Sequence, residues 1–435
     1  MRAWMGVAVL ALCAGLPSMA RAQARVVRLA DAEKSALEHQ PQLAIARASV
    51  EAADARAGQA FAPLLPQLAA TAGYQRTTAN VIVRPGTTAA SVTPDSNFDT
   101  YNSWSTSVTA NQLVWDFGQG LGKWRAAQST RLSADETARS VAQTALLNVR
   151  AAFFAARADK ALLQVAQDTL ANQEKHLQQT QAFVTAGTRP DIDLAQSRAD
   201  VANAKLSLVD ADNNYANAKQ SLNVAMGAPG PIDYDVADDA LQAVQGEDAA
   251  LDGLLDEAQK ARPELKSLEL QAQAEQQTLG AIRGGYGPAL SVNAGFTQGG
   301  LALDKLGWNL SVGATLSWQL FQGGATKEAV REAEANLSSL AAQADGVRQQ
   351  IRADLDSARL AVKAAQSARA ASADALASLK DRLRLAESRY QNGLGSLLDL
   401  DDAQLATSTA AAQVITADFR LATARAQLLR ALGRN

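Results

Sequence analysis

One cysteine, Cys13, is all the thiol that this 435-residue sequence carries, and it lies in the leader. Arg2 gives a short basic start, Val7 to Leu16 form a brief apolar stretch, and Ala20-Arg21-Ala22 offers a small-x-small cleavage site. This layout predicts a signal peptide over residues 1–22 and a mature chain beginning near Gln23. Leu12 precedes Cys13 where an acylated leader needs a small residue, so no lipid anchor is expected. A mature chain without thiols has no disulfide framework and no cysteine metal site, although it enters an oxidising compartment.

Other absences narrow the function. No later segment approaches the run of about 18 apolar residues that a membrane-spanning helix requires. The formal net charge of −3 provides no basic surplus for nucleic acid. His39 and His176 stand far apart on helical segments, where surface or packing roles suit them. There is no Gly-rich phosphate loop, no histidine cluster, and no set of nucleophile, base and orienting carboxylate. No enzyme activity, catalytic residue, cofactor or metal site is expected.

What is present is a duplication. Pro41-Gln42-Leu43, inside a helical stretch from about Leu29 to Ala60, recurs as Pro263-Glu264-Leu265, and Pro66 recurs as Pro288, both at an offset of 222. Val114-Trp115-Asp116-Phe117-Gly118 then matches Leu320-Phe321-Gln322-Gly323-Gly324. Gly187 matches Gly393, Asp193-Leu194 matches Asp399-Leu400, and Leu222 to Gly227 matches Leu428 to Gly433, all at an offset of 206. The difference falls in the loop between paired strands, which is longer in the first copy. The expected division is a first repeat over 23–227, a connecting segment over 228–252 and a second repeat over 253–435. Pro229, Gly230 and Pro231 break the helix in that segment and acidic residues follow. It reads either as a solvated linker or as a belt around a long helical body.

Each copy holds two strand-like runs. Leu310, Val312, Ala314, Leu316 and Trp318 alternate with Ser311, Gly313, Thr315 and Ser317. Leu290, Val292, Ala294 and Phe296 alternate with Ser291, Asn293 and Gly295, and Trp104, Thr106, Val108 and Ala110 with Ser105, Ser107 and Thr109. The run after Pro66 is weaker. A strict period of two with one apolar face marks half-buried strands. A soluble antiparallel sheet alternates in the same way. Runs of about ten residues with Trp104, Trp115, Trp308 and Trp318 near their ends instead suit tilted strands crossing a bilayer. Four strands cannot close a barrel, and open edges in lipid leave backbone groups unpaired. Several chains must then share one barrel, and two or three would both serve. The polar loop from about Thr77 to Thr100 would be extracellular.

Proline is missing from Gln119 to Thr185 and from Thr326 to Tyr390, each long enough for one helix of about 100 Å. Ala142, Val149, Ala156, Leu163, Leu170, Leu177 and Val184 recur every seven residues. Leu355, Val362, Leu376, Leu383 and Tyr390 do likewise, interrupted at Arg369. Such a repeat specifies left-handed coiling against neighbours. After Gly187 and Gly393 the chain turns back into shorter helices, so each copy ends in an antiparallel hairpin with a glycine tip. A solid coiled-coil stalk would show the same pattern.

The order helix-strand-strand-helix twice over, Pro41 and Pro263, Leu320 to Gly324, Tyr390-Gln391-Asn392-Gly393, and Ser396 to Ala403 together resemble the TolC-like outer-membrane efflux proteins. The resemblance spans nearly all of the mature chain. It implies a mainly α fold with a transmembrane β portion: a helical tunnel (α-barrel) below a twelve-stranded β-barrel shared by a homotrimer. It also implies residence in the outer membrane, a periplasmic adaptor and an inner-membrane transporter, proton-driven or ATP-driven. On that resemblance Leu290, Val292, Phe296, Leu310, Val312, Leu316, Trp318, Trp104 and Val108 face lipid. Asp399 and Asp402 ring a closable periplasmic entrance, with Tyr390 and Asp193 beside them. The alternative for the two aspartates is simple capping of the last helix. Some family members carry an Arg where Gly395 stands here, while Arg189 occupies the equivalent place in copy one. Arg189 is therefore expected to pair with Asp193, Asp399 or Asp402. The competing function is a coiled-coil scaffold or adhesin without transport. Cargo, whether small molecule or protein, is not written in the sequence.

Overall fold

The structure, a computed structural model, describes residues 25–78, 81–83, 90–92 and 98–434. The expected signal peptide lies outside the described residues. From Arg25 onward the chain runs twice through one plan. The first pass is β1 (Arg25–Val27), α1 (Leu29–His39), α2 (Pro41–Phe61), β2 (Gln67–Thr77), β3 (Val81–Val83), β4 (Ala90–Val92), β5 (Tyr101–Trp115), α3 (Gln119–Thr185) and α4 (Asp191–Met226). The second is β6 (Tyr234–Val236), α5 (Leu251–Ala261), α6 (Pro263–Gly284), β7 (Ala289–Gly300), β8 (Gly307–Ser317), α7 (Ala325–Gln391) and α8 (Leu397–Ala431).

The stretch read as one helix from Leu29 to Ala60 is two. Gln40, at ψ 122°, separates them, because the ring of Pro41 clashes with an α conformation in the residue before it. Arg262, at ψ 120° ahead of Pro263, repeats the break between α5 and α6. The loop after Thr77 also holds more order than expected, since β3 and β4 pair antiparallel within it. The last strand ends at Ser317, so Trp318 lies just beyond it, its indole N–H donating to the Tyr286 carbonyl at 3.0 Å.

α3 and α7 are each 67 residues long, about 100 Å at 1.5 Å per residue. Their heptad positions are enclosed: Val149, Ala156, Leu355, Val362 and Tyr390 are buried and the others half-buried. The interruption at Arg369 has a use, because its guanidinium pairs with Asp418 of α8. The duplication extends to backbone conformation. Left-handed residues pair up as Phe117 with Gly323, Gly118 with Gly324, Gly187 with Gly393 and Gly227 with Gly433.

The acidic connecting segment is pinned to the helices. β6 pairs in parallel with β1. Asp235 takes Lys160, Asp238 takes Arg157, and the Leu29 N–H donates to Asp239. Buried Glu247 receives two hydrogen bonds from Arg425, at 3.0 and 2.9 Å, and others from Gln366 and the Val244 N–H. Those donors hold its carboxyl below the usual range against the opposing effect of burial.

Candidate functional site

β2, β5, β7 and β8 form one antiparallel sheet in the order β2-β5-β7-β8. Opposed residues in such a ladder share a face, and the register sorts the side chains completely. Val108 lies opposite Phe296, which lies opposite Leu310; Ala294 lies opposite Val312, and Leu290 opposite Leu316. Tyr74 is opposite Trp104, and their rings stand 4.6 Å apart. The other face carries Ser107, Thr109, Asn293, Thr297, Ser311 and Thr315. A register shift between Leu113 and Trp115 sets Trp115 opposite Leu290, on the apolar face.

That face is open. Val312 is 73% exposed, Leu316 65% and Leu310 62%. Val292, Phe296 and Val108 are exposed as well, and Leu290 and Trp104 are half-buried. Aromatic rings collect at both ends. Tyr74, Trp104 and Trp308 lie at one, and Trp115 and Trp318 lie at the end joined to the helices. Eleven positions separate Trp104 from Trp115, about 36 Å along a strand at ~3.3 Å per residue. A tilt near 45° turns that length into about 25 Å of height, the apolar band of an outer-membrane barrel. Among the described residues no helix is long and apolar enough to cross a membrane.

At the far end of the helices lie the hairpin tips. Gly187 and Gly393, at φ 74° and 72°, turn α3 into α4 and α7 into α8. Open space surrounds both, so their role is conformational. Between the tips sits Tyr390, 1% exposed, packed with Leu397, Leu400 and Phe183. Its hydroxyl shares a hydrogen bond with Thr180 at 3.1 Å, and Ser197 donates to Thr180 at 3.3 Å. Arg189 lies over the Tyr390 ring, 4.9 Å from its centre. It donates to the Gly395 carbonyl at 2.9 Å and reaches Asp193 at 4.0 Å. Of the three expected partners the structure brings Arg189 to Asp193; within the chain it joins the first tip to the second through Gly395.

Asp399 and Asp402 go separate ways. Asp399 completes a capping box, accepting from the Ser396 N–H while its own N–H donates to Ser396 Oγ at 3.1 Å. Those hydrogen bonds, helped by Arg389 and Arg382, hold its carboxyl below the usual range. Asp402 is exposed and lines a cleft with Asp193, Asp200, Asp401 and Gln404. The sequence reading passed over Asp401, Asp200 and Gln404. Burial, then the negative charges of Asp200, Asp402 and Asp193, push the Asp401 carboxyl up to about 6. The sequence shows only that Asp401 and Gln404 share one helical face, three positions apart; the approach of Asp200 on another helix has no signal in it.

A family model described as outer membrane efflux protein matches residues 33–228 and 254–434. The toluene efflux pump outer membrane protein TtgC of Pseudomonas putida is 25% identical over 386 residues, covering 86% of this chain and 76% of that protein. The cation efflux system protein CusC of Escherichia coli is 24% identical over 315 residues, covering 71% and 68%. The crystal structure of the outer membrane protein VceC from Vibrio cholerae matches with a TM-score of 0.78 at 19% identity, over 94% of this chain and 96% of that one. With both repeats matched and the fold shared end to end, the chain belongs to the outer membrane efflux protein family, the TolC-like channels that sit in the outer membrane and extend into the periplasm.

Proposed function

We propose that three copies of this chain form the complete duct. Each contributes four strands to a twelve-stranded barrel and two long hairpins to a helical tunnel below it. The observation that carries this reading is the open-edged sheet with one largely apolar face, attached to duplicated helices of 67 residues. β2 and β8 each present an unpaired edge, and in lipid every unpaired N–H or C=O costs several kcal/mol. Pairing β8 of one copy with β2 of the next removes all such edges. The repeat bounds 23–227 and 253–435 supply the two hairpins, and the segment 228–252 girdles the tunnel between them.

In this reading the tips close the periplasmic entrance. Arg189, Asp193 and Tyr390 bind the two hairpins of a copy to each other, and Asp399 and Asp402 give the opening a negative lining that favours cations. A periplasmic adaptor engages the helices and an inner-membrane transporter supplies the energy. The cargo is small and either organic, as the name of the toluene pump protein suggests, or a metal ion, as that of the cation efflux protein suggests.

The test is single-channel conductance of the purified oligomer in a planar bilayer, for wild type and for Asp399→Ala/Asp402→Ala. Small cation-selective openings that lose selectivity in the double variant are expected. Unchanged selectivity would remove the entrance assignment and keep the duct. No conductance from a well-folded oligomer would favour a scaffold.

A further inference from the structure

A cleft of about 640 Å³ opens between α4 and α8 just above the hairpin tips, floored by Thr169 and Gln173 of α3. Four aspartates line it: Asp193 and Asp200 from α4, Asp401 and Asp402 from α8. No Lys, Arg or His is among the lining residues. Two of its oxygens are buried without a partner. Gln404 is 4% exposed, and its Oε1 accepts no hydrogen bond. Asp200 accepts from Gln196 at 3.0 Å through Oδ1, while Oδ2 is buried and unpaired. An unpaired buried acceptor costs about 1–3 kcal/mol, more when charged, and no protein donor reaches either of these two.

We propose that this cleft binds one hard divalent cation of the calcium class per chain, held between the carboxylates of Asp200 and Asp401 and the amide oxygen of Gln404. The donors are all oxygen, which selects calcium or magnesium over zinc or copper. Among the described residues no three acidic or histidine side chains are already gathered into a metal cage. Two carboxylates and an amide oxygen on two separate helices form an uneven donor set, which calcium with its flexible coordination accepts and magnesium with its near-ideal octahedron does not. Asp200 belongs to the first repeat and Asp401 and Gln404 to the second. The ion therefore joins the two hairpins across a seam that would otherwise set like charges face to face.

The charged groups facing Asp401 are Asp193 and Asp200 from α4 and its own neighbour Asp402; α3 presents only Thr169 and Gln173.

The site lies within one chain, so it differs in stoichiometry from any ring on a three-fold axis, and it can fail without touching the duct. The experiment is calorimetric titration of the detergent-solubilised full mature protein with calcium chloride at pH 7.5, repeated with magnesium chloride. One calcium per chain is expected. Asp401→Asn and Gln404→Leu should each weaken binding at least tenfold, and Asp374→Asn, exposed on α7 and outside the cleft, should leave it unchanged. Calcium should raise the melting temperature of wild type and not of Asp401→Asn. That variant exchanges a buried charge for an amide of the same shape, so without calcium it should melt no lower than wild type. Absence of saturable binding, one ion per three chains, tighter binding of magnesium, or wild-type affinity in either cleft variant overturns the proposal.

Discussion

Phe117 is the one described residue other than glycine with a left-handed backbone, at φ 55°, where the second repeat has Gly323 at φ 60°. For an ordinary residue that conformation costs on the order of 1–2 kcal/mol. What holds it is the position of its ring, 4.1 Å from that of Trp115 at the base of the sheet. The ring occupies space that only glycine leaves free. A Cβ on Gly287 would fall 2.2 Å from Phe117 Cγ, and one on Gly284 would fall 2.7 Å from the Phe117 carbonyl oxygen. Gly287→Ala should therefore displace the aromatic pair and destabilise the chain by about 1–3 kcal/mol, as overpacking does. The loss would appear as a lower melting temperature together with a shift in tryptophan emission. An unshifted melt would mean that the ring has another place to go. The second repeat, with Gly323 at the same bend, needs no such cradle, so the two junctions are built by different means on one backbone plan.

At the scale of elements, the hairpins depend on a few tip contacts. Arg189 holds its own turn through Asp193 and the other turn through the Gly395 carbonyl, while its guanidinium covers Tyr390. Arg189→Ala removes all three contacts and leaves the helices untouched. The open probability at low voltage should then rise several-fold in single-channel recordings, whereas unchanged gating would deny Arg189 a role in closure. Most of this level was legible in the sequence. The glycine turns, Gly118 and Gly187 around α3 and Gly324 and Gly393 around α7, with no proline between them, bounded both helices to within a residue, and the period of two located the faces of β5, β7 and β8. The break at Gln40 was also written there, because a residue before proline is pushed out of the α region. Pro41 had been read as a marker of the repeat and not as a stop. The cleft at Asp200, Asp401 and Gln404 was not legible. It depends on how α4 and α8 lie across α3, and no periodicity along one helix encodes the neighbour that an adjoining helix will bring.

For the whole molecule, the decisive asymmetry is between the two faces of the sheet. If three chains close a barrel in the outer membrane, the face bearing Val312 meets lipid and the face bearing Ser311 meets a water-filled lumen. Both residues lie near the middle of β8, adjacent in sequence and opposite in direction. Val312→Arg should then cost about 2–4 kcal/mol per chain, the cost of a guanidinium at the bilayer midplane. Ser311→Arg should cost little, since its charge stays hydrated. It should instead reduce cation conductance, because three added positive charges line the bore. Unfolding of each variant from lipid vesicles by denaturant measures the first effect, and bilayer recording measures the second. A soluble sheet packed on its apolar face would also reject Val312→Arg, but it would show no change in ion current from Ser311→Arg. Equal destabilisation by the two substitutions would mean that both faces are enclosed, and the shared barrel would have to be abandoned. The opposite result, with lipid dependence confined to the even-numbered positions, would establish the orientation of every strand at once, because the register from Tyr74 to Leu316 leaves no strand free to turn independently.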